Sequence, residues 1–185
     1  MHMLPAVWLP ILVAAIGVFV ASALIHMLFR WHHSDFRRLP DEDAAAAALR
    51  SKPLPPGQYT LPYCDGMKEM QTEEMQKRYR DGPIAVLIVR KPGIPGMGPI
   101  LFQWFLLNLA IATIAAMLVL QVVGLQAHPH AAGHLVGMIS LLAYGCGSVT
   151  NGIWFAKPWG TVAKDLLDAL IYGTVSAFAF VWLWP

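Results

Sequence analysis

Residues 100–124 read ILFQWFLLNLAIATIAAMLVLQVVG, 25 positions without a charged side chain. A helix needs about 20 apolar residues to cross the hydrocarbon core of a bilayer, since each residue advances the chain by about 1.5 Å. This run is long enough to span, and its length and lack of charge predict a membrane fold. Three further runs are long enough and uncharged through their central stretch: residues 4–29 (LPAVWLPILVAAIGVFVASALIHMLF), 135–155 (LVGMISLLAYGCGSVTNGIWF) and 166–184 (LLDALIYGTVSAFAFVWLW). The composition agrees, with 57% hydrophobic and 13% charged residues, against about 25% charged in a typical soluble domain. The first run has no basic residues before it and is too long for the apolar part of a cleaved signal peptide. It is expected to stay as a span.

Charge is concentrated between the first two runs. Eleven of the thirteen Lys and Arg lie from Arg30 to Lys91, and nine of the eleven Asp and Glu from Asp35 to Asp81. Basic residues collect in the cytoplasmic loops beside membrane helices. With both termini outside, residues 30–99 and the 156–165 loop fall inside, and all thirteen Lys and Arg become cytoplasmic. Tryptophans then mark both interfaces, with Trp8, Trp182 and Trp184 outside and Trp31, Trp104, Trp154 and Trp159 inside. Cys64 and Cys146 fall in different compartments and cannot staple the fold.

The expected architecture is an all-α membrane protein of four transmembrane helices, with a small α+β cytoplasmic insert between helices 1 and 2. It divides into residues 1–33 (first helix and a basic collar), 34–99 (insert) and 100–185 (three helices with short loops). Within the insert, Asp41 is a candidate N-cap for a helix ended by Pro53. Thr72 and Gly82 bracket a second helix, residues 58–64 are extended, and the β-branched run IAVLIVR (84–90) reads as a strand.

The segments HHSDFRRLPDED, MKEM, QWF, DALIYG and the terminal WLWP resemble a family of short, uncharacterised bacterial inner-membrane proteins. The resemblance spans most of the chain. It implies a bacterial inner-membrane protein of this layout and assigns no catalytic residue.

Several constellations carry chemistry. His128, His130 and His134 fall in an H-x-H-x3-H pattern between the second and third spans, and imidazole suits Zn or Cu. The alternative is a short polar connection in which His and Pro satisfy the helix ends. Cys64, Met67 and Met70 form a C-x2-M-x2-M pattern of soft sulfur donors suited to Cu(I), although methionine is also a common core filler. Arg30, His32, His33, Arg37 and Arg38 form a basic collar after the first span, with His26 one turn inside the membrane edge. The collar is expected to anchor lipid headgroups. Gly17, Ala21, Asn108, Gly145, Gly147, Asn151 and Gly152 supply small and polar positions for close helix packing or a partner interface. Asp168 is the ionisable residue nearest the bundle interior, and Lys164 one turn earlier predicts an interfacial ion pair.

Haem b bound by two histidines is disfavoured, because the second and fourth spans lack histidine and His26 and His134 lie at opposite faces. No nucleotide, hydrolase or metalloprotease motif is present. The charge pattern gives no basis for nucleic-acid binding. The leading expectation is a non-catalytic accessory or assembly subunit of a larger inner-membrane complex, with lipids and a protein partner or a second copy around it. A Cu- or Zn-handling membrane protein and a small transporter or channel are the alternatives.

Overall fold

The computed structural model describes residues 4–52 and 54–185. In chain order the elements are α1 (Trp8–Met27, entered by a 3-10 turn Leu4–Val7), α2 (Glu42–Ser51), β1 (Gly57–Leu61), α3 (Met67–Met70), α4 (Glu73–Asp81), β2 (Ala85–Val89), α5 (Met97–Val122), α6 (Pro129–Phe155) and α7 (Trp159–Leu183). A second 3-10 turn, Arg30–Ser34, follows α1. Four helical segments, Leu4–Met27, α5, α6 and α7, are long and apolar enough to cross a membrane. The chain forms two compact units, residues 1–36 with 96–185, and residues 37–95.

The first unit is a four-helix bundle, tightly closed at one end. There Val7, Ile11 and Ala14 meet Ala112, Ala115, Ala116, Val119 and Leu120 of α5, Ala132 and Val136 of α6, and Phe180 and Trp184 at the end of α7. The Trp184 indole donates to the Leu125 carbonyl at 3.1 Å, tying the C-terminal end to the α5–α6 loop. Alanine is the commonest residue of this cluster, as expected where helices in lipid gain mainly from close van der Waals approach. A Cβ added at Gly173 would lie 2.8 Å from the Gly137 carbonyl oxygen, and one at Gly133 would lie 2.8 Å from the Ala177 carbonyl oxygen. The α6–α7 pair therefore packs backbone to backbone.

The other end is splayed. No residue of α5 before Asn108 is buried, and the smaller apolar cluster here is built on Val18, Ile25 and Tyr172. The gap between the helices is a cavity of about 850 Å³.

Two helix boundaries differ from the sequence expectation. α6 begins at Pro129, so the histidine pattern is the start of a helix rather than a loop: His128 is the N-cap, and its Nδ1 accepts from the His130 amide. Proline at the first helical position loses no intrahelical bond. α7 begins at Trp159, which brings Lys164 and Asp165 into the helix. Ala156 closes α6 in the left-handed region (φ 54°), so only residues 156–158 link α6 to α7.

The second unit carries the expected caps: Asp41 accepts from the Ala44 amide at 2.9 Å, and Thr72 from the Met75 amide at 3.3 Å. β1 and β2 pair antiparallel from Gly57↔Val89 to Leu61↔Ala85. Only Pro62 and Met75 are buried among the described residues of this unit. The Pro53 helix stop lies outside the described residues.

Candidate functional site

The 3-10 turn after α1 folds back on the bundle because Lys164 of α7 holds it. The Lys164 ammonium donates to the Trp31 carbonyl at 2.6 Å, to Ser34 Oγ at 2.8 Å and to Asp35 Oδ1 at 2.6 Å, which engages all three of its protons. Thr161 adds a hydroxyl contact to the same carboxylate oxygen at 3.3 Å. Lys164 thus pairs with Asp35, where the sequence suggested Asp168. α7 rises away from the turn, so Asp168 lies one turn deeper than Lys164 and faces the histidines.

This anchoring sets His32 between two carboxylates. Its Nδ1 lies 2.6 Å from Asp35 Oδ2, and its Nε2 lies 2.9 Å from Asp168 Oδ2. His26, on the last turn of α1, brings its Nε2 to 3.8 Å from the same Asp168 oxygen, and the two imidazole centroids are 4.7 Å apart. One ligand atom from each of His26, His32 and Asp168 falls within 4.8 Å of the other two. Asp168 is buried, and its Oδ1 has no hydrogen-bond partner among the described residues. A buried carboxylate with an idle oxygen is costly, and a cation or donor would relieve it. Burial raises the pKa of Asp35, but hydrogen bonds and charge from Lys164 and His32 outweigh it and hold the carboxyl below its ordinary value. Asp35 therefore stays an anion that orients His32.

His26 and Asp168 also line the cavity, which extends from them toward Ile111 between all four helices. Its aromatic wall is Trp104, Tyr144 and Tyr172, with ring centroids 5.2–6.2 Å apart and packed edge-on or tilted. The Trp104 indole donates to Ser22 at 2.8 Å, and the Tyr144 hydroxyl to buried Asn108 at 3.0 Å. The Tyr172 hydroxyl makes no hydrogen bond to a described residue. Lys157 and Ser148 both bind Asp165 on the cavity rim, so the lysine lining the cavity is already paired.

The structure distributes the residues singled out from sequence as follows. His128 and His130 stack at the N-terminus of α6 with centroids 5.3 Å apart, and His134 lies exposed beside a shallow groove with Gly137 and Ala177. No third ligand group joins them among the described residues. The Cys64 thiol donates to the Gly66 carbonyl at 3.3 Å, and Met67 and Met70 begin and end the short α3. Of the basic collar, Arg30, His33, Arg37 and Arg38 are exposed, whereas His32 turns inward. Gly17, Gly145 and Gly152 sit against neighbouring side chains inside the bundle. Gly147 faces open space. Ala21 packs beside the Val18–Tyr172 cluster, and Asn151 lines the cavity.

The sequence reading missed that His26, His32 and Asp168 converge. The available signal was depth: the end of the first span and the start of the fourth must lie at the same face. No family model, curated protein or solved structure matches this chain, so its reading rests on its own residues.

Proposed function

We propose that this chain is a bacterial inner-membrane protein that binds a divalent transition metal through His26, His32 and Asp168. The observation that carries this reading is the convergence of two imidazole nitrogens and a carboxylate oxygen within 4.8 Å. Metal–ligand bonds of about 2.1 Å place neighbouring ligand atoms of a tetrahedral site about 3.4 Å apart. The two separations from Asp168 Oδ2, 2.9 and 3.8 Å, bracket that value. Asp35 behind His32 Nδ1 supplies the carboxylate–histidine pairing that orients metal-binding imidazoles. Nitrogen and oxygen donors without thiolate favour Zn2+ or Cu2+ over Cu(I). Three protein ligands leave a position open. With the termini outside, as the basic residues direct, this end of the bundle faces the cytoplasm.

The test is titration of the purified protein in lipid nanodiscs with Zn2+ and with Co2+. One equivalent should bind. His26→Ala, His32→Ala and Asp168→Ala should each weaken affinity by at least about tenfold. Replacement of His128, His130 and His134 together should leave it unchanged. Undiminished binding in the His32→Ala protein overturns the assignment, and loss in the triple variant moves the site to α6.

Docking to a membrane partner as an accessory subunit is favoured by one separate observation. Gly147 is a small residue of α6, and nothing among the described residues lies within 4 Å of a carbon added there. Native mass spectrometry of the gently extracted protein tests this, through added subunit mass that disappears with Gly147→Leu.

A further inference from the structure

The cavity beside the histidines suits a particular kind of occupant. We infer that it binds a lipid-soluble aromatic alcohol, a phenol or hydroquinone ring carrying an apolar tail, whose hydroxyl oxygen takes the open metal position. This rests on the metal reading above. Four features of the cavity support it.

The first is access. The cavity spans the splayed half of the bundle, and its α5 wall (Met97, Ile100, Leu101, Leu107) is exposed and apolar, so a ligand dissolved in the bilayer meets no polar barrier. The second is shape. At about 850 Å³ it falls in the range of small-molecule sites, and Trp104, Tyr144 and Tyr172 present aromatic surface that favours a flat ring by edge-to-face packing. The third is polarity at one end only. Tyr172 lines the cavity beside Asp168, whose Oδ1 is an acceptor with no partner among the described residues, and His26 and Asp168 place the metal at the cavity wall. One hydroxyl suffices to meet these groups.

The fourth feature separates this ligand from a phospholipid. A phosphate brings several oxygens that need cationic or N–H donors. Among the described residues the only Lys or Arg lining the cavity is Lys157, and Asp165 already holds it. The metal could take one phosphate oxygen, and Asn151 and Tyr172 offer neutral donors, but the remaining charge would lie unpaired beside two carboxylates, at a cost of the kind any buried unpaired polar group carries.

The experiment uses the full chain in nanodiscs loaded with Co2+, whose visible absorption reports its ligands. 4-Octylphenol is the probe, and octylbenzene is its hydroxyl-free control. The expected result is a saturable change in the Co2+ spectrum with octylphenol and none with octylbenzene. Ile111→Trp, on a helix that supplies no metal ligand, should fill the cavity and weaken the octylphenol response at least tenfold while the Co2+ spectrum itself persists. Tyr172→Phe should weaken it less. Bound Co2+ whose spectrum ignores octylphenol overturns this inference and leaves the metal site standing. A response to oleate or phosphatidic acid but not to octylphenol overturns the ligand class. Failure to bind Co2+ at all removes the metal reading and this inference with it.

Discussion

Asp35 shows how one residue outside the apolar spans controls geometry inside them. It joins Lys164 of α7 to His32 of the turn, with 2.6 Å contacts on both sides. Asp35→Asn keeps the shape but removes the charge that orients the imidazole. It should weaken Zn2+ binding by about 10–100-fold, measured by competition with a chromophoric chelator, with little change in helix content. Tyr144 has a different role. Its hydroxyl donates to Oδ1 of Asn108, which is fully buried, so Tyr144→Phe leaves that amide oxygen without a donor. Polar contacts between membrane helices contribute about 0.6 kcal/mol on average and about 1.7 at most. A loss in that range is expected in equilibrium unfolding from bicelles, with metal affinity unchanged. His26, His32, Asp168 and Lys164 are each noticeable in the sequence. Their pairing is not, because spacing along the chain says nothing about which of two anions a lysine will reach. Lys164 meets Asp35 where the 3-10 turn lies over α7, and its bonds to Trp31, Ser34 and Asp35 hold the turn there.

At the scale of elements, α6 and α7 form the tightest pair, and glycine makes it possible. Gly173→Ala would drive a methyl group against the Gly137 carbonyl, where neither backbone has room to yield. Overpacking of this kind costs about 1–3 kcal/mol, and thermal unfolding in detergent should show it. Gly147→Ala is the matched comparison, since nothing lies within 4 Å of the added carbon. It should be neutral or stabilise by up to about 1 kcal/mol, because alanine is the better helix former. Both positions look alike in sequence, as small residues in apolar helices. The insert was more legible. Asp41, Thr72 and Gly82 bound α2 and α4 as their cap chemistry directs, and the β-branched run forms β2. The four-residue α3 gave no signal, since one turn is too short to show a period.

At the scale of the whole molecule, the distribution of Lys and Arg makes a prediction that the bundle alone does not. If residues 30–99 are cytoplasmic, Cys64 should resist a membrane-impermeant maleimide in intact spheroplasts and react after permeabilisation, in a Cys146→Ser background. Ala127→Cys, in the α5–α6 loop, should react in both. The reverse pattern would invert the topology and place the metal site on the outside.

The sequence by itself determined the four apolar helices, the charged insert and the caps of its two longer helices, α2 and α4. Each depends on residues that are neighbours in the chain, through run length, side-chain capping and β-branching. Only the tertiary structure decided that α5 splays from the bundle to open a cavity, and that His32 meets Asp168 across 136 positions. Those outcomes depend on how closely glycine lets α6 approach α7 and on where Lys164 fastens the turn. Both are contacts between distant segments, set by packing and not by local pattern.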